Sequence, residues 1–332
     1  MKSVGDMART FVLLNNQVRL RGEMDELAIE VATGFVRDPA RHLGGDVTSL
    51  MEIDRSLAKL ETYRINVAEA DFLTIAMQGT LDEVQSRSED LSSTLIAADL
   101  TPGSTLLKVM SNDAENALGQ IVNGLNRSIG GRFLFSGVAT DRPALPDAQT
   151  FLDEALNALS GVTSLADMET ALDGFFAPGG SFETIIYEGS NTGLSPLQLS
   201  ETESVAVDIR ANDDTFRQLF KPLIIAALAT DPALALDGNV QVEALGQAGR
   251  ALLGAQSTMA DLRAGLGALE ARIEETSVRN ATERTATSLA RLDLVGADQY
   301  ETATRYENIR SQLESLYAIT ARTQRMSFAE YM

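Results

Sequence analysis

The chain contains no cysteine and no tryptophan, and its single histidine is His42. These absences exclude disulfides, thiolate nucleophiles, cysteine-ligated zinc and any catalytic design that needs two imidazoles. Aromatic residues make up only 5% of the 332. A compact enzyme core normally fills space with large rings, whereas long helices packed side by side can use Leu, Ala and Met. Positive charge is scarce too: 27 Lys and Arg stand against 47 Asp and Glu, a formal net charge of -20. A surface of that sign repels phosphate backbones and anionic lipid, so no nucleic-acid partner and no polybasic membrane role is expected. Long apolar runs are missing. The longest, Leu223 to Ala229, falls well short of the roughly 20 residues that span a bilayer, so no membrane insertion is expected. Phe11 to Leu14, broken by Asn15 and Asn16, is too short for the core of a cleavable signal peptide. The lack of cysteine fits a cytosolic chain and equally one threaded unfolded through a secretion channel; composition does not separate the two.

What the chain does have is helical periodicity. Leu245, Ala248, Leu252, Ala255, Met259, Leu262, Leu266, Leu269, Ile273 and Thr276 alternate spacings of three and four, and all but Thr276 are apolar. This is the seam of a long helix packed against near-parallel neighbours, and it reads as intramolecular core. Gly246, Gly249, Gly254, Gly265 and Gly267 lie along it. Each costs about 0.5 to 1 kcal/mol relative to Ala, so tight packing is expected to offset them.

The neighbours are predicted in the first third. Leu50, Ile53, Leu57, Leu60 and Val67, then Leu73, Met77, Val84, Leu91 and Leu95, share a face, with Ser49 and Glu52 spaced as a capping box. Thr101-Pro102 reads as the start of another helix, whose stripe is Leu107, Met110, Ala114, Ala117, Ile121 and Leu125.

Both ends carry their own amphipathic segments: Leu13, Gln17, Leu20, Met24, Leu27 and Val31 at the start, and Tyr306, Ile309, Leu313, Leu316, Thr320 and Thr323 at the end. Two such helices cannot surround each other's seams, so Leu13, Leu20, Met24, Leu27, Val31, Tyr306, Ile309, Leu313 and Leu316 are the expected subunit-interface residues. Thr33 to Pro39, ending in Gly44-Gly45, forms an irregular spoke. Gly296 breaks the late pattern, and Asp298 with Glu301 restarts it as a cap.

The middle is different. Val205, Val207 and Ile209 alternate with polar neighbours in a strand period, and Phe182 to Tyr187 and Leu197 to Leu199 are further strand candidates. Phe151 to Leu159, Leu165 to Phe176 and Phe216 to Ala229 read as short helices. The expected fold class is therefore mainly α: an elongated helical rod, a long-helix bundle with paired terminal helices, plus an inserted α+β outer domain. The expected division is 1–32 with 298–332 as the terminal helical segment, 33–138 with 240–297 as the rod, and 139–239 as the insert.

No chemistry emerges from the motifs. There is no phosphate-binding loop; the Gly-rich phrase Gly265-Leu266-Gly267-Ala268-Leu269 lies inside a helical pattern instead of after a strand. His42 stands alone, whereas metal sites converge several donors. Asp213-Asp214 lacks the Gly and terminal Glu of a calcium loop and reads as a solvated turn. The sequons at Asn126 and Asn280 fall within predicted helices. No acid, base and nucleophile converge, so the chain is not expected to be an enzyme, to contain catalytic, cofactor-binding or metal residues, or to use a cofactor.

Three phrases carry a resemblance. Glu30-Val31-Ala32-Thr33-Gly34, followed by Asp38-Pro39, resembles a Leu-Ser-Thr-Gly spoke with a downstream Asp-Pro. The run from Gly131 to Pro143, Gly-Arg-Phe-Leu-Phe-Ser-Gly-Val-Ala-Thr-Asp-Arg-Pro, is similar to a Gly-Arg-Tyr-Leu-Phe-Ala-Gly phrase that leads from rod to outer domain. Asp298 to Thr304 and the tail from Ser327 to Met332 resemble a helix restart and a Ser-Leu-x-x-Tyr-Leu ending. Together with the nested plan, they resemble the flagellin superfamily and, within it, the FlgL family of hook-associated proteins at the hook-filament junction.

That resemblance implies a flagellin-like rod and a structural role. Subunits would be exported through the flagellar type III apparatus, with an export chaperone and no cleaved signal peptide. Outside the cell they would self-assemble into a ring between the first hook-associated protein and flagellin. The rival expectations are a divergent flagellin filament subunit and a cytosolic coiled-coil scaffold or signalling protein.

Overall fold

The computed structural model describes residues 4–97 and 103–329, with side chains described from Met7 to Arg322 inside those limits. The fold is mainly α, as the periodicity predicts. The chain divides into two compact units, 1–62 with 281–332, and 63–280. Two long helices, α3 (Thr48–Ile96) and α8 (Gly238–Val295), contribute residues to both.

In the first unit, α1 (Val4–Thr33) pairs with α9 (Gln299–Ala329). Between α1 and α3 lies the spoke, which contains a single helical turn, α2 (Pro39–His42). Pro39 supplies a fixed φ at the start of that turn, and the Asp38 carboxylate accepts the Arg41 N–H at 3.0 Å. Gly34, Gly44 and Gly45 have φ of 75°, 64° and 95°, left-handed conformations that side chains oppose. The spoke is sewn to the break between α8 and α9. Val36 N–H donates to Val295 O at 3.0 Å, and Ala297 N–H donates to Gly34 O at 2.9 Å. Asp298 caps α9 as expected, its Oδ1 accepting Glu301 N–H at 2.9 Å. The start of α3 differs from the capping-box expectation. Asp46 Oδ1 accepts the Thr48 N–H at 3.1 Å, and Ser49 already lies inside the helix. That backbone hydrogen bond holds the exposed Asp46 carboxyl below its ordinary value.

In the second unit, α3 and α8 pack with α4 (Ser104–Leu125), whose predicted stripe from Leu107 to Leu125 is buried throughout. The proposed helix start at Thr101-Pro102 lies outside the described residues; in the structure Gly103 occupies the N-cap. A two-residue Gly130-Gly131 turn, with φ of 59° and 79°, closes the small hairpin β1 (Ser128–Ile129) and β2 (Arg132–Phe133). Three helices follow, α5 (Ala148–Ala158), α6 (Leu165–Phe176) and α7 (Asp214–Leu228), near the expected positions.

The strands fare less well. Phe182–Ile186 forms a π-helical turn, and Val207 and Ile209 are buried outside any strand. Only β3 (Leu197–Gln198) and β4 (Ser204–Val205) form, as one antiparallel hairpin. The scarce aromatics concentrate here. Phe151, Phe175, Phe176, Phe182 and Phe220 stack or meet edge-on with centroids 5.0 to 6.5 Å apart, filling a core that short elements could not close with Leu alone. α7 packs on α4, with Ser111 Oγ donating to Ala226 O and Ala227 O at 2.9 and 2.6 Å.

Candidate assembly surface

The expected interface residues all lie in the first unit and differ in burial. Leu20, Leu27 and Leu313 are buried, 4 to 6% exposed, in the seam where α1 meets α9. Leu13, Met24, Tyr306, Ile309 and Leu316 are half-buried, and Val31 is exposed. Arg21 fastens the same pair: its Nε donates to the Tyr317 hydroxyl at 2.8 Å, and its guanidinium carbon lies 5.7 Å from that ring's centre. The Thr323 side chain and the tail from Ser327 to Met332 lie outside the described side chains. The seam read from the sequence is thus largely occupied by the chain's own second helix.

A second stripe remains open. Met7, Phe11, Leu14 and Val18 follow spacings of four, three and four along α1, and they are 57, 67, 54 and 68% exposed. The spacing puts them on one helical face, turned away from the buried Leu20 and Leu27. Sequence reasoning weighed Phe11 to Leu14 only as a signal-peptide core. The heptad spacing of Met7, Phe11, Leu14 and Val18 was the available signal.

A further candidate is a groove between charged side chains. It measures about 580 Å³, lies in the first unit and is lined by carboxylates of Glu23, Glu26, Glu30 and Glu301 together with Arg37 and the exposed His42. Within it Glu30 Oε1 accepts Arg37 N–H at 2.9 Å, and Arg19 Nη1 donates to Glu23 Oε1 at 2.6 Å. Among the described residues, no three His, Asp or Glu side chains converge as metal donors, and no helix is long and apolar enough to cross a membrane.

Asp213 is more than a solvated turn. Its Oδ2 accepts Arg210 N–H at 2.9 Å, and burial raises its pKa, opposed by that hydrogen bond and by Arg210. Tyr187 is pushed up to about 12 by burial, its hydroxyl donating to Ser190 O at 2.9 Å. Both perturbed groups have structural hydrogen-bond partners. The sequon asparagines are engaged as well: Asn126 Nδ2 donates to Leu145 O at 2.8 Å while its Oδ1 accepts Leu145 N–H at 3.0 Å, and Asn280 donates to Leu199 O.

The surface that stands out is therefore a helical, apolar one at the paired ends. Residues 250–332, which include all of α9, match the family model of the bacterial flagellin C-terminal helical region. This end of the chain is flagellin-like. Of the three phrases that carried the flagellin-superfamily resemblance, the helix restart from Asp298 to Thr304 and the tail from Ser327 to Met332 lie inside the matched segment, whereas the spoke and the junction phrase lie outside it.

Solved structures with similarity include a putative flagellar hook-associated protein from Vibrio parahaemolyticus, at 14% identity over 71% of this chain and 95% of that one, with a TM-score of 0.40. FlgL of Bacillus cereus is matched at 14% identity over 70% of this chain and 99% of that one, with a TM-score of 0.43. No curated protein matches the chain.

Proposed function

We propose that the chain is a structural subunit of the bacterial flagellum, a hook-filament junction adaptor without enzymatic activity. The observation that carries this reading is the flagellin-like C-terminal segment, residues 250–332, whose α9 pairs with an α1 that leaves Met7, Phe11, Leu14 and Val18 open. An exposed heptad stripe on a two-helix pair is a surface for helix packing between subunits, and burial of each large apolar side chain stabilises such packing by about 1.5 to 3 kcal/mol.

In this reading the subunits form a ring between the first hook-associated protein and flagellin, outside the cell. They reach it through the flagellar type III export apparatus, with an export chaperone. The reading keeps the division expected from the sequence, with 1–32 and 298–332 as the inner-tube segment, 33–138 and 240–297 as the rod, and 139–239 as the outer domain. The acidic surface keeps that outer layer soluble.

The deciding experiment is deletion of the gene in a flagellated host. A junction adaptor predicts flagellin released into the medium and bare hooks, restored by the complementing gene; normal filaments would refute it. The match to a flagellin segment also favours a second reading, a divergent filament subunit. Purified chain that elongates unaided into long filaments would select that reading.

A further inference from the structure

In the second unit, α3 and α8 run antiparallel, and polar contacts tie them at defined levels. Ser92 Oγ donates to Gly249 O at 2.8 Å. One turn along α3 and two turns along α8, Gln256 Nε2 donates to Ser88 Oγ at 2.7 Å. Beyond it, Arg263 Nη1 donates to Gln85 Oε1 at 2.6 Å, and its Nη2 lies 2.8 Å from Asp82 Oδ1. Further along, the β3-β4 hairpin bridges both helices: Asn66 Nδ2 donates to Gln198 O at 2.8 Å, and Asn280 Nδ2 donates to Leu199 O at 2.7 Å.

The apolar seam between these levels repeats every seven residues. On α3, Ala70, Met77, Val84 and Leu91 are buried; on α8, Leu245, Leu252, Met259, Leu266 and Ile273 are buried. Sliding one helix by seven residues, about 10 Å, would again set apolar layers against apolar layers. The nine residues 229–237 joining α7 to α8 reach about 30 Å when extended and would follow such a slip.

The polar residues do not tolerate it. A slip of seven would move Gln256 from Ser88 onto Leu81 or Leu95, both fully buried, and strand its amide. These groups are also costly where they are: Gln256 Oε1 and Arg263 Nε are buried with no hydrogen-bond partner among the described residues, a cost that leucines would avoid.

We propose that the contacts of Gln85, Ser88, Gln256 and Arg263, and not the apolar seam, set the axial register of α3 against α8 within the second unit. These contacts weaken the pair and make it unique. The inference concerns the monomer and holds whatever the chain assembles with.

The cysteine-free chain makes the test direct. Spin labels at Ser86→Cys and Ala260→Cys, both exposed positions, report the α3-α8 distance by pulsed electron resonance. In the otherwise unchanged chain one distance is expected. In Gln85→Leu/Ser88→Ala/Gln256→Leu/Arg263→Leu, the expected result is an equal or higher thermal midpoint with a second distance population from the slipped register. A single unchanged distance overturns the proposal. If that variant loses its helical circular dichroism, Ser88→Ala/Gln256→Leu is read instead: a minor second distance supports the proposal, and its complete absence overturns it.

Discussion

Arg291 holds its guanidinium 4.7 Å above the centre of the Phe35 ring while its Nε donates to Asp54 Oδ1 at 2.7 Å. One side chain of α8 thereby fixes the spoke ring and the first turns of α3 together within the first unit. The paired backbone hydrogen bonds of Val36 and Ala297 lie directly beside it. Arg291→Ala removes a partly exposed cation-ring contact and an exposed ion pair, together worth about 1 kcal/mol. The expected outcome is faster hydrogen exchange at the Val36 and Ala297 amides with little change in the exchange of the second unit. Unchanged protection at those two amides would show that the backbone bridge holds without the arginine.

Two glycines of α8 are expected to respond with opposite signs. A Cβ on Gly249 would lie 2.9 Å from Ile96 N and 3.0 Å from Leu95 Cβ, so the helices approach there because no side chain intervenes. Around Gly265 nothing lies within 4 Å. Gly249→Ala overpacks and is expected to cost about 1 to 3 kcal/mol. Gly265→Ala is expected to stabilise by about 0.5 to 1 kcal/mol through reduced backbone entropy of the unfolded chain. Urea unfolding midpoints of the two variants against the parent test the pair, and shifts of the same sign contradict the assignment.

These glycines also mark what the sequence can and cannot disclose. The heptads of α3, α4 and α8 were legible because period 3.5 repeats over many turns, and random placement does not sustain that. Tight packing was expected at every glycine of the α8 seam, yet Gly254, Gly265 and Gly267 have open space, since close approach depends on the neighbouring helix and not on the glycine. The short strands failed for a related reason. Val207 and Ile209 alternate as a strand would, but their burial explains the spacing without any ladder partner. The Gly130-Gly131 hairpin begins before the junction phrase at Gly131, and two-residue strands are too short for a period to show. At the candidate surface, the seams of Leu20, Leu27 and Leu313 were readable, but a seam cannot say whether its partner belongs to the same chain.

Glu203 should give the second unit an acid-sensitive fastening. Its carboxylate accepts from Thr276 Oγ1 at 2.8 Å, from Arg279 at 2.8 Å and from Arg272 at 3.1 Å, and the Thr276 hydrogen bond leads in holding its pKa below the ordinary value. A carboxyl with a depressed folded pKa contributes stability above its unfolded pKa, and that contribution is lost as pH falls through the folded value. Asp213 works the other way: its raised pKa gives a contribution present at low pH and lost as pH rises. Thermal midpoints of parent and Glu203→Gln, measured from pH 7 downward, should differ at neutral pH and converge below the ordinary carboxylate range. A gap that is constant with pH would mean that the charge of Glu203 is not what holds the hairpin.

The division of the end helices into a filled seam and an open stripe predicts two distinct failures. Leu313 is 4% exposed between α1 and α9, so Leu313→Asp places a charge in that seam and should separate the pair, at a cost of several kcal/mol. Phe11 and Val18 face outward, so Phe11→Asp/Val18→Asp should leave the pair folded and remove the apolar stripe that a neighbouring copy would cover. Hydrogen exchange in α9 distinguishes the first case, and sedimentation under assembling conditions distinguishes the second. The outward variant is expected to retain α9 protection while sedimenting as a monomer, whereas the seam variant loses both. If the outward variant assembled as the parent does, the stripe on α1 would not be the subunit contact. The half-buried Leu13, Ile309 and Leu316 would then be the next surface to substitute.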